Sequence, residues 1–531
     1  MQVLVSDAFS PEGLKVLEEH TEVVYKPEIN KDELIGEVGS YDALVVRSRT
    51  KVNSEVIEAA KNLKVIGRAG VGVDNIDVDK ATERGIIVVN APHGNTISAA
   101  EHAIALLTSL ARNIAQADYS VKTGQWKRSN YTGVELNRKT LGVIGVGRIG
   151  SEVARRARAM GMNIIGYDPY ITTEQAEKIG IEVASFEELL KQTDFITLHL
   201  PLNQSTYHLI SEKEIELMKP GMRIVNCARG GLIDEDALCK ALQEGKIEGA
   251  ALDVFEQEPP GSCKLLELNN VILTPHLGAL TREAQLNVAR QVSEQVIRAL
   301  QGEPIVSAVN VPALMPETRA ALGPFLPLMR VMGSFYLQMF GGSVDEIEIT
   351  YSGEVAKMPL SPLTISCLIG FLQHVVGEEV NWVNASYIAK NRGIEVRETS
   401  TTEVKNYSNL ITLKAKSGFE EHHISGTLLN NDMRLVRVDD YRIEIIPASY
   451  MLVTTHHDQP GVVGKIGTLL GNEHVNIASM QLGRQSAGGE AMMVLQVDDE
   501  MSKDSLNKVR ELDVISSARF VSLPGNIFSE A

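Results

Sequence analysis

The run TLGVIGVGRIGSEVARRARAMG, residues 140–161, constrains this chain more than any other stretch. It reads as a short strand, a glycine turn and a helix, with Gly145, Gly147 and Gly150 in GxGxxG spacing, and Asp168 closes the next strand, NIIGYD, 18 residues past Gly150. Gly145 permits the tight turn, Gly147 lets a pyrophosphate approach the backbone, and Gly150 lets helix pack on strand. The helix N-terminus offers N–H donors to phosphate, with Arg148 and Ile149 in its first turn, and Asp168 accepts hydrogen bonds from a ribose diol. A carboxylate there repels a 2′-phosphate, and Pro169 and Tyr170 bring no cation to receive one, so the expected cofactor is NAD.

The surrounding pattern sets the architecture. Apolar runs alternate with helical stretches over residues 1–90 and again over 140–276, which predicts two doubly wound, Rossmann-like parallel-sheet domains. Between them Ser98-Ala-Ala-Glu101 reads as a capping box opening a long helix over about 98–119, with Ala103, Ile104, Leu107, Leu110, Ala111 and Ile114 at helical spacing. A second periodic segment near 281–300 returns the chain to the first domain, which is therefore expected to be discontinuous. Pro312, Pro316, Pro324 and Pro327 mark a junction. Beyond it EIEITYSG, NLITLKAKS, HHISGTLL and RLVRVDDYRIEIIP predict strands of a mixed α/β unit. From about 450 the order strand, helix, strand, strand, helix, strand is the βαββαβ of a ferredoxin-like module.

Composition excludes several functions. The 68 acidic against 51 basic residues leave a net charge of −17, which argues against nucleic acid and anionic membranes as partners. The four cysteines have no CxxC spacing, so neither a disulfide framework nor a metal site is expected. His456 and His457, adjacent on a strand, point to opposite faces and would not chelate one ion. No window offers 18 uninterrupted apolar residues and the N-terminus lacks a signal-peptide pattern, so a cytoplasmic location is expected.

Three segments, VNCARGGLID, ALDVFEQEPP and VILTPHLG, run from a strand into polar residues and carry Arg229, Glu258 and His276 beyond strand carboxyl ends, where doubly wound sheets bind ligands. Oxidation of a 2-hydroxy acid needs a base for the hydroxyl proton, and His276 is the candidate. Glu258 can orient the imidazole and support its charge. Arg229 can hold a carboxylate bidentately. Each residue alone has a structural reading as well: a solvated arginine, a glutamate ending an element, a satisfied histidine.

VIGVGRIG, ARGG, ALDVFEQEP and TPHLG, in this order, closely resemble the D-2-hydroxyacid dehydrogenase family over residues 1–310. The resemblance implies Arg229, Glu258 and His276 as catalytic residues, with Glu258 and His276 as a proton relay. It also implies His199 in the loop over the cofactor, and Ala228 and Asp253 on the nicotinamide side. VRSRTKV and GRAGVGVDNID resemble the phosphoglycerate dehydrogenase branch, which implies Arg47, Arg68 and Asn95 as substrate contacts and Arg128 as an arginine reaching across a dimer interface. Arg49 stands where that pattern more often has a small residue, so either Arg47 alone or both face the anion.

The tail HHDQPGVVGKIGTLLGNEHVNIASMQLGR resembles an ACT domain, and the unit before it the intervening domain of long members of that branch. In that comparison Asp458 and Asn476 match positions that bind L-serine, although Asp458 could instead cap the helix near Pro460. The expected division is 1–97 plus 284–310 for substrate, 98–283 for NAD, 315–447 intervening and 450–525 ACT. The implied reaction is NAD-dependent oxidation of 3-phosphoglycerate, in a homodimer or homotetramer with the linking helix near 98–119 at the dimer contact. The alternatives are another 2-hydroxy or 2-oxo acid as substrate, an NAD-sensing corepressor on the same fold, and a C-terminal half that serves only as an oligomerisation scaffold.

Overall fold

The computed structural model describes residues 1–303, 305–311, 316–377, 380–418 and 420–525. Pro312 of the expected junction, and residue 315 at the expected start of the third unit, lie outside the described residues. Four sheets organise the chain.

The first sheet is wholly parallel and contains β1 (Gln2–Val5), β2 (Glu22–Tyr25), β3 (Ala43–Val46), β4 (Val65–Arg68) and β5 (Ile87–Asn90) in the order β2-β1-β3-β4-β5. That is one of the two common doubly wound orders. The strands are short and apolar because helices cover both faces. One cover comes from far along the chain: Val288, Val292, Val296 and Ile297 of the helix Arg282–Gln301 pack with Val3, Val5, Val45 and Val65 in a single core.

The second sheet holds β6 (Thr140–Ile144), β7 (Asn163–Tyr167), β8 (Glu182–Val183), β9 (Phe195–Leu198), β10 (Met222–Asn226), β11 (Ile247–Leu252) and β12 (Val271–Leu273). Its order, β12-β11-β10-β9-β6-β7-β8, reverses direction at β6, the dinucleotide-binding arrangement with one strand added at the far edge. All pairs are parallel, so every strand delivers its carboxyl end to the same rim.

The linking helix differs from its sequence reading in two ways. It begins at Thr96 with Asn95 as N-cap and no side-chain cap. Ser98 therefore lies inside the first turn, and its hydroxyl donates to the Gly278 carbonyl at 2.8 Å rather than to its own backbone. The helix also stops at Arg112, because Asn113 adopts a left-handed conformation (φ 52°), and a second helix runs Ile114–Lys122.

The third sheet comprises β13 (Glu346–Gly353), β14 (Glu395–Thr401), β15 (Asn409–Ser417), β16 (Glu420–Leu429), β17 (Asp432–Val438) and β18 (Tyr441–Ile445). The order is β14-β13-β15-β16-β17-β18, antiparallel except for the parallel β13–β14 pair. Apolar helices Phe325–Phe340 and Ser361–Val376 cover one face. They cross closely because Gly333 and Gly370 present bare backbone, where an added Cβ would meet the Cys367 and Arg330 carbonyls. This unit docks on the first domain: the Asn381 amide donates to the Gly85 carbonyl at 3.1 Å and the Tyr387 hydroxyl to Glu83 at 3.3 Å.

The fourth sheet, β19 (Tyr450–His457), β20 (Ile477–Arg484), β21 (Glu490–Val497) and β22 (Ile515–Ser522), is antiparallel in the order β20-β21-β19-β22. With the helices Val462–Asn472 and Lys503–Arg510 it forms the expected βαββαβ module. Among the described residues no helix is long and apolar enough to cross a membrane.

Candidate active site

The glycine turn follows β6, and each glycine meets a distinct constraint. Gly145 sits at φ 91°, with the His199 backbone so close that an added Cβ would lie 2.7 Å from its carbonyl oxygen. A Cβ on Gly150 would come within 2.0 Å of the Gly145 carbonyl, so helix and strand are packed as tightly as backbone allows. At Gly147 a Cβ would meet nothing within 4 Å, which leaves open approach to the N-terminus of the helix Arg148–Ala159, a terminus no side chain caps. Open space, bare N–H groups and a helix dipole fit a pyrophosphate.

Asp168, just past β7, accepts from the Val146 N–H (2.9 Å) and the Tyr170 N–H (2.9 Å). A carboxylate has about four lone-pair directions, so capacity remains for a ribose diol. The residues present thus fit a dinucleotide. Arg148 turns its guanidinium to the Pro92 carbonyl of the first domain, and Ile149 packs partly buried against the core beneath the sheet. His199 follows β9. Its ring lies 3.0 Å from the Thr197 hydroxyl, and burial pushes the imidazole down to about 4, so it is neutral at pH 7.

At the end of β10, buried Asn226 shapes the ARGG turn by accepting from the Ala228 N–H (3.0 Å) and donating to the Arg229 carbonyl (2.9 Å). The Arg229 side chain then reaches the other domain, where its Nε donates to Asp74 Oδ2 at 3.1 Å. Its Nη1 donates to the Ala228 carbonyl at 2.7 Å.

His276 and Glu258 meet: imidazole Nδ1 lies 2.7 Å from the carboxylate. Desolvation pushes the Glu258 carboxyl up, but the His276 hydrogen bond and charge, with the Phe255 N–H, outweigh it and leave it below its ordinary value. An ionised Glu258 accepts the Nδ1 proton, which leaves Nε2 with its lone pair outward, the arrangement a general base needs. His276 itself is held at φ 55° by bonds from its N–H to the Asp253 and Thr274 carbonyls.

Asp253 is a supporting carboxylate. Fully buried, it accepts from the Leu277 N–H (2.7 Å), the Gly278 N–H (2.8 Å) and the Thr274 hydroxyl, and pairs with His102 at 3.2 Å. Burial opposes its ionisation, yet these partners keep its carboxyl below the ordinary range. It fixes the loop that presents His276.

The first domain contributes cations from its own strand ends. Arg68 ends β4, and desolvation together with the Arg229 charge lowers its guanidinium to about 10, with Asp74 opposing and Arg47 adding to the effect. The Arg229 and Arg47 charges thus both act on Arg68. Arg47 is itself lowered by burial and donates to the Ala8 carbonyl at 3.2 Å. Arg49 is taken up elsewhere: it pairs with Asp7 at 3.2 Å and donates to the Ser6 carbonyl at 2.7 Å. Asn95 keeps a buried Oδ1 with no hydrogen-bond partner, an open acceptor at the N-terminus of the linking helix. Arg128 stands exposed on the turn Arg128–Tyr131.

In the C-terminal module Asp458 accepts from Arg484 (3.3 Å) and the Gly488 N–H (3.2 Å), while Asn476 donates to Asp498 at 2.6 Å. The helix Val462–Asn472 has Gly461 as N-cap and no side-chain cap, so Asp458 does not cap it. His456 is buried and His457 exposed, on opposite faces of β19. Among the described residues no three His, Cys, Asp or Glu side chains could hold a metal ion.

Sequence reasoning missed Asn226, Asp74 and His102. Asn226 and Asp74 lie inside segments the sequence had singled out, VNCARGGLID and GRAGVGVDNID, but attention fell on the arginines beside them; Asp74 and His102 act through partners more than 150 positions away.

Three family models match: the D-isomer specific 2-hydroxyacid dehydrogenase NAD-binding domain over residues 104–278, the D-3-phosphoglycerate dehydrogenase intervening domain over 321–439, and the ACT domain over 450–514. The chain is 48% identical to D-3-phosphoglycerate dehydrogenase of Methanocaldococcus jannaschii over 98% of its own length and 100% of the relative's. It is 47% identical to the Synechocystis protein of that name, over 98% and 95%. Among solved structures it resembles a D-lactate dehydrogenase from Aquifex aeolicus complexed with NAD and lactic acid, at 32% identity and a TM-score of 0.52, covering 57% of this chain and 96% of that one.

Proposed function

This chain belongs to the D-3-phosphoglycerate dehydrogenase family, and from that premise we propose how its residues carry the reaction. It is an NAD-dependent oxidoreductase acting on the CH–OH group of a 2-hydroxy acid, and it oxidises 3-phospho-D-glycerate to 3-phosphooxypyruvate, the first step of L-serine biosynthesis. The observation that carries the substrate reading is that Arg68, at the end of β4, feels the charges of both Arg229 and Arg47, more positive charge than one carboxylate requires.

In this reading Arg229 aligns the substrate carboxylate and polarises the C2 oxygen, Arg47 and Arg68 receive the phosphoryl end, and Asn95 contacts the substrate. His276 Nε2 takes the hydroxyl proton as the C2 hydride leaves, and Glu258 supports the imidazolium that forms. Bound NAD supplies the hydride acceptor. Gly145, Gly147, Arg148, Ile149 and Gly150 would hold its pyrophosphate and Asp168 its adenosine ribose, while His199 and Ala228 would flank its nicotinamide side, with buried Asp253 fixing the loop there. The division into 1–97 plus 284–310, 98–283, 315–447 and 450–525, a cytoplasmic location, a homodimeric or homotetrameric state, and L-serine binding through Asp458 and Asn476 belong to the same proposal.

The test follows NADH formation with 3-phosphoglycerate, the product trapped with hydrazine, against D-glycerate and D-lactate. Phosphate-dependent turnover is expected, and His276→Ala should lose roughly 100- to 10,000-fold in kcat with NAD affinity retained. A His276→Ala enzyme with wild-type kcat would sink the mechanism. Absence of turnover with any acid, despite NAD binding, would favour a sensor.

A further inference from the structure

Arg229 offers a carboxylate two approaches: the side edge that includes Nε, and the end between the two Nη atoms. Asp74 holds the side edge, with Nε donating to its Oδ2 at 3.1 Å. Backbone closes on the end: Nη1 donates to the Ala228 carbonyl, and Nη2 lies so near Gly72 that a Cβ there would sit 2.0 Å from it. The edge a substrate carboxylate needs is thus already occupied by a carboxylate of the protein.

We propose that Asp74 is a built-in competitor for the substrate's carboxylate, pairing with Arg229 in the unliganded chain and giving way when substrate binds. The inference rests on the reading above that Arg229 receives that carboxylate.

Geometry supports an exchangeable contact. The Asp74 side chain is 63% exposed and that of Arg229 28%, so the pair is solvent-screened and weak. The loop beneath it is firm, because the Asn75 amide donates to both the Arg47 and Thr50 carbonyls at 2.7 Å. Asp74 can therefore rotate its carboxylate away without the loop unfolding. The contact also crosses the cleft, from the loop after β4 to the turn after β10, so it joins the two domains where substrate would join them. One carboxylate replaces another on the same guanidinium, and the number of ion pairs is conserved. Meanwhile Asp74 offsets part of the repulsion between Arg229 and Arg68 and shields Arg229 from casual anions.

The experiment uses the full chain with saturating NAD and the variants Asp74→Asn and Asp74→Ala. KM for 3-phosphoglycerate and the inhibition constant of D-glycerate should fall by the same factor, up to about fivefold, the worth of an exposed ion pair, with kcat within about twofold. Inhibition by inorganic sulfate should strengthen. A common factor is the signature of displacement, since the same pair is broken whatever the ligand. A long-range field would favour the more highly charged phosphorylated acid and would fade at high salt. Unchanged or raised KM, an unequal gain between the two acids, or a collapse of kcat would each overturn the proposal. Arg229→Ala separates the premise from the inference: if it keeps wild-type KM for 3-phosphoglycerate, the role given to Arg229 has failed, not the competition alone.

Discussion

His199 shows how one side chain ties acid stability to the cofactor cleft. Its imidazole is pushed down to about 4 in the folded chain, against an unfolded value near 6.5. Between those limits the unfolded chain binds a proton that the folded chain refuses, so stability falls as pH drops through that window, by about 3 kcal/mol at most from this residue. Above pH 6.5 both states leave it neutral and the effect vanishes. Urea unfolding of wild type and His199→Asn from pH 7 to pH 4.5 checks this; the variant should show the shallower loss, and parallel curves would refute the burial argument. At this scale the sequence was legible wherever a residue stood at the end of an apolar run. Asp168, Arg229 and His276 were found because a parallel sheet sends every carboxyl end to one rim. Asp74 and His102 were not, because their importance lies in a contact with Arg229 or Asp253 more than 150 positions away, and nothing in their neighbours' spacing reports such a contact. Arg49 shows the converse: its type suggested an anion site, but Asp7 had already claimed it.

Elements were readable where burial imposes a period and unreadable where it does not. Most strands of the two parallel sheets are nearly continuous apolar runs and stood out, but the exposed edge strand β8, Glu182–Val183, did not. Strand β14, EVRETST, escaped because it is an exposed edge strand whose pairing with β13 needs only its backbone. Ser98 was read as a cap from spacing alone, yet its hydroxyl serves Gly278, so it joins the linking helix to the loop that presents His276. The turn between β6 and its helix gives a contrast to test. Gly150→Ala would drive a methyl against the Gly145 carbonyl 2.0 Å away, and should cost about 1–3 kcal/mol of stability through forced separation of strand and helix. Gly147→Ala meets open space and should leave the melting temperature nearly unchanged. It should still weaken NAD binding by about tenfold or more, the worth of one charge-assisted hydrogen bond, because the methyl stands where phosphate approaches. Thermal melts with and without NAD separate the two effects, and a Gly147→Ala protein that binds NAD normally would move the pyrophosphate away from this turn.

Across the whole molecule, the third unit fastens to the first domain through the contacts at Gly85 and Glu83. Any movement of that unit therefore acts first on the domain carrying Arg47 and Arg68. The proposed homo-oligomer would bear on the same cleft. The helix Ile114–Lys122 and the segment after it expose Tyr119 (71%), Val121 (54%) and Trp126 (77%), apolar surface that a monomer would leave in water. Arg128 lies two residues beyond Trp126, so a partner seated on this surface would meet a guanidinium at its edge. If the proposed homo-oligomer forms through this surface, Trp126→Glu removes its largest exposed ring and would place an unpaired carboxylate in that interface, which costs more than truncation alone. Sedimentation velocity should then show the loss of one level of assembly, with far-UV circular dichroism unchanged because most of the side chain is exposed within its own chain. If Arg128 crosses to the partner's cleft, KM for 3-phosphoglycerate should rise several-fold in the same variant while KM for NAD holds. A variant that sediments as wild type would place the contact elsewhere, and one that dissociates with both KM values unchanged would leave Arg128 outside the substrate site.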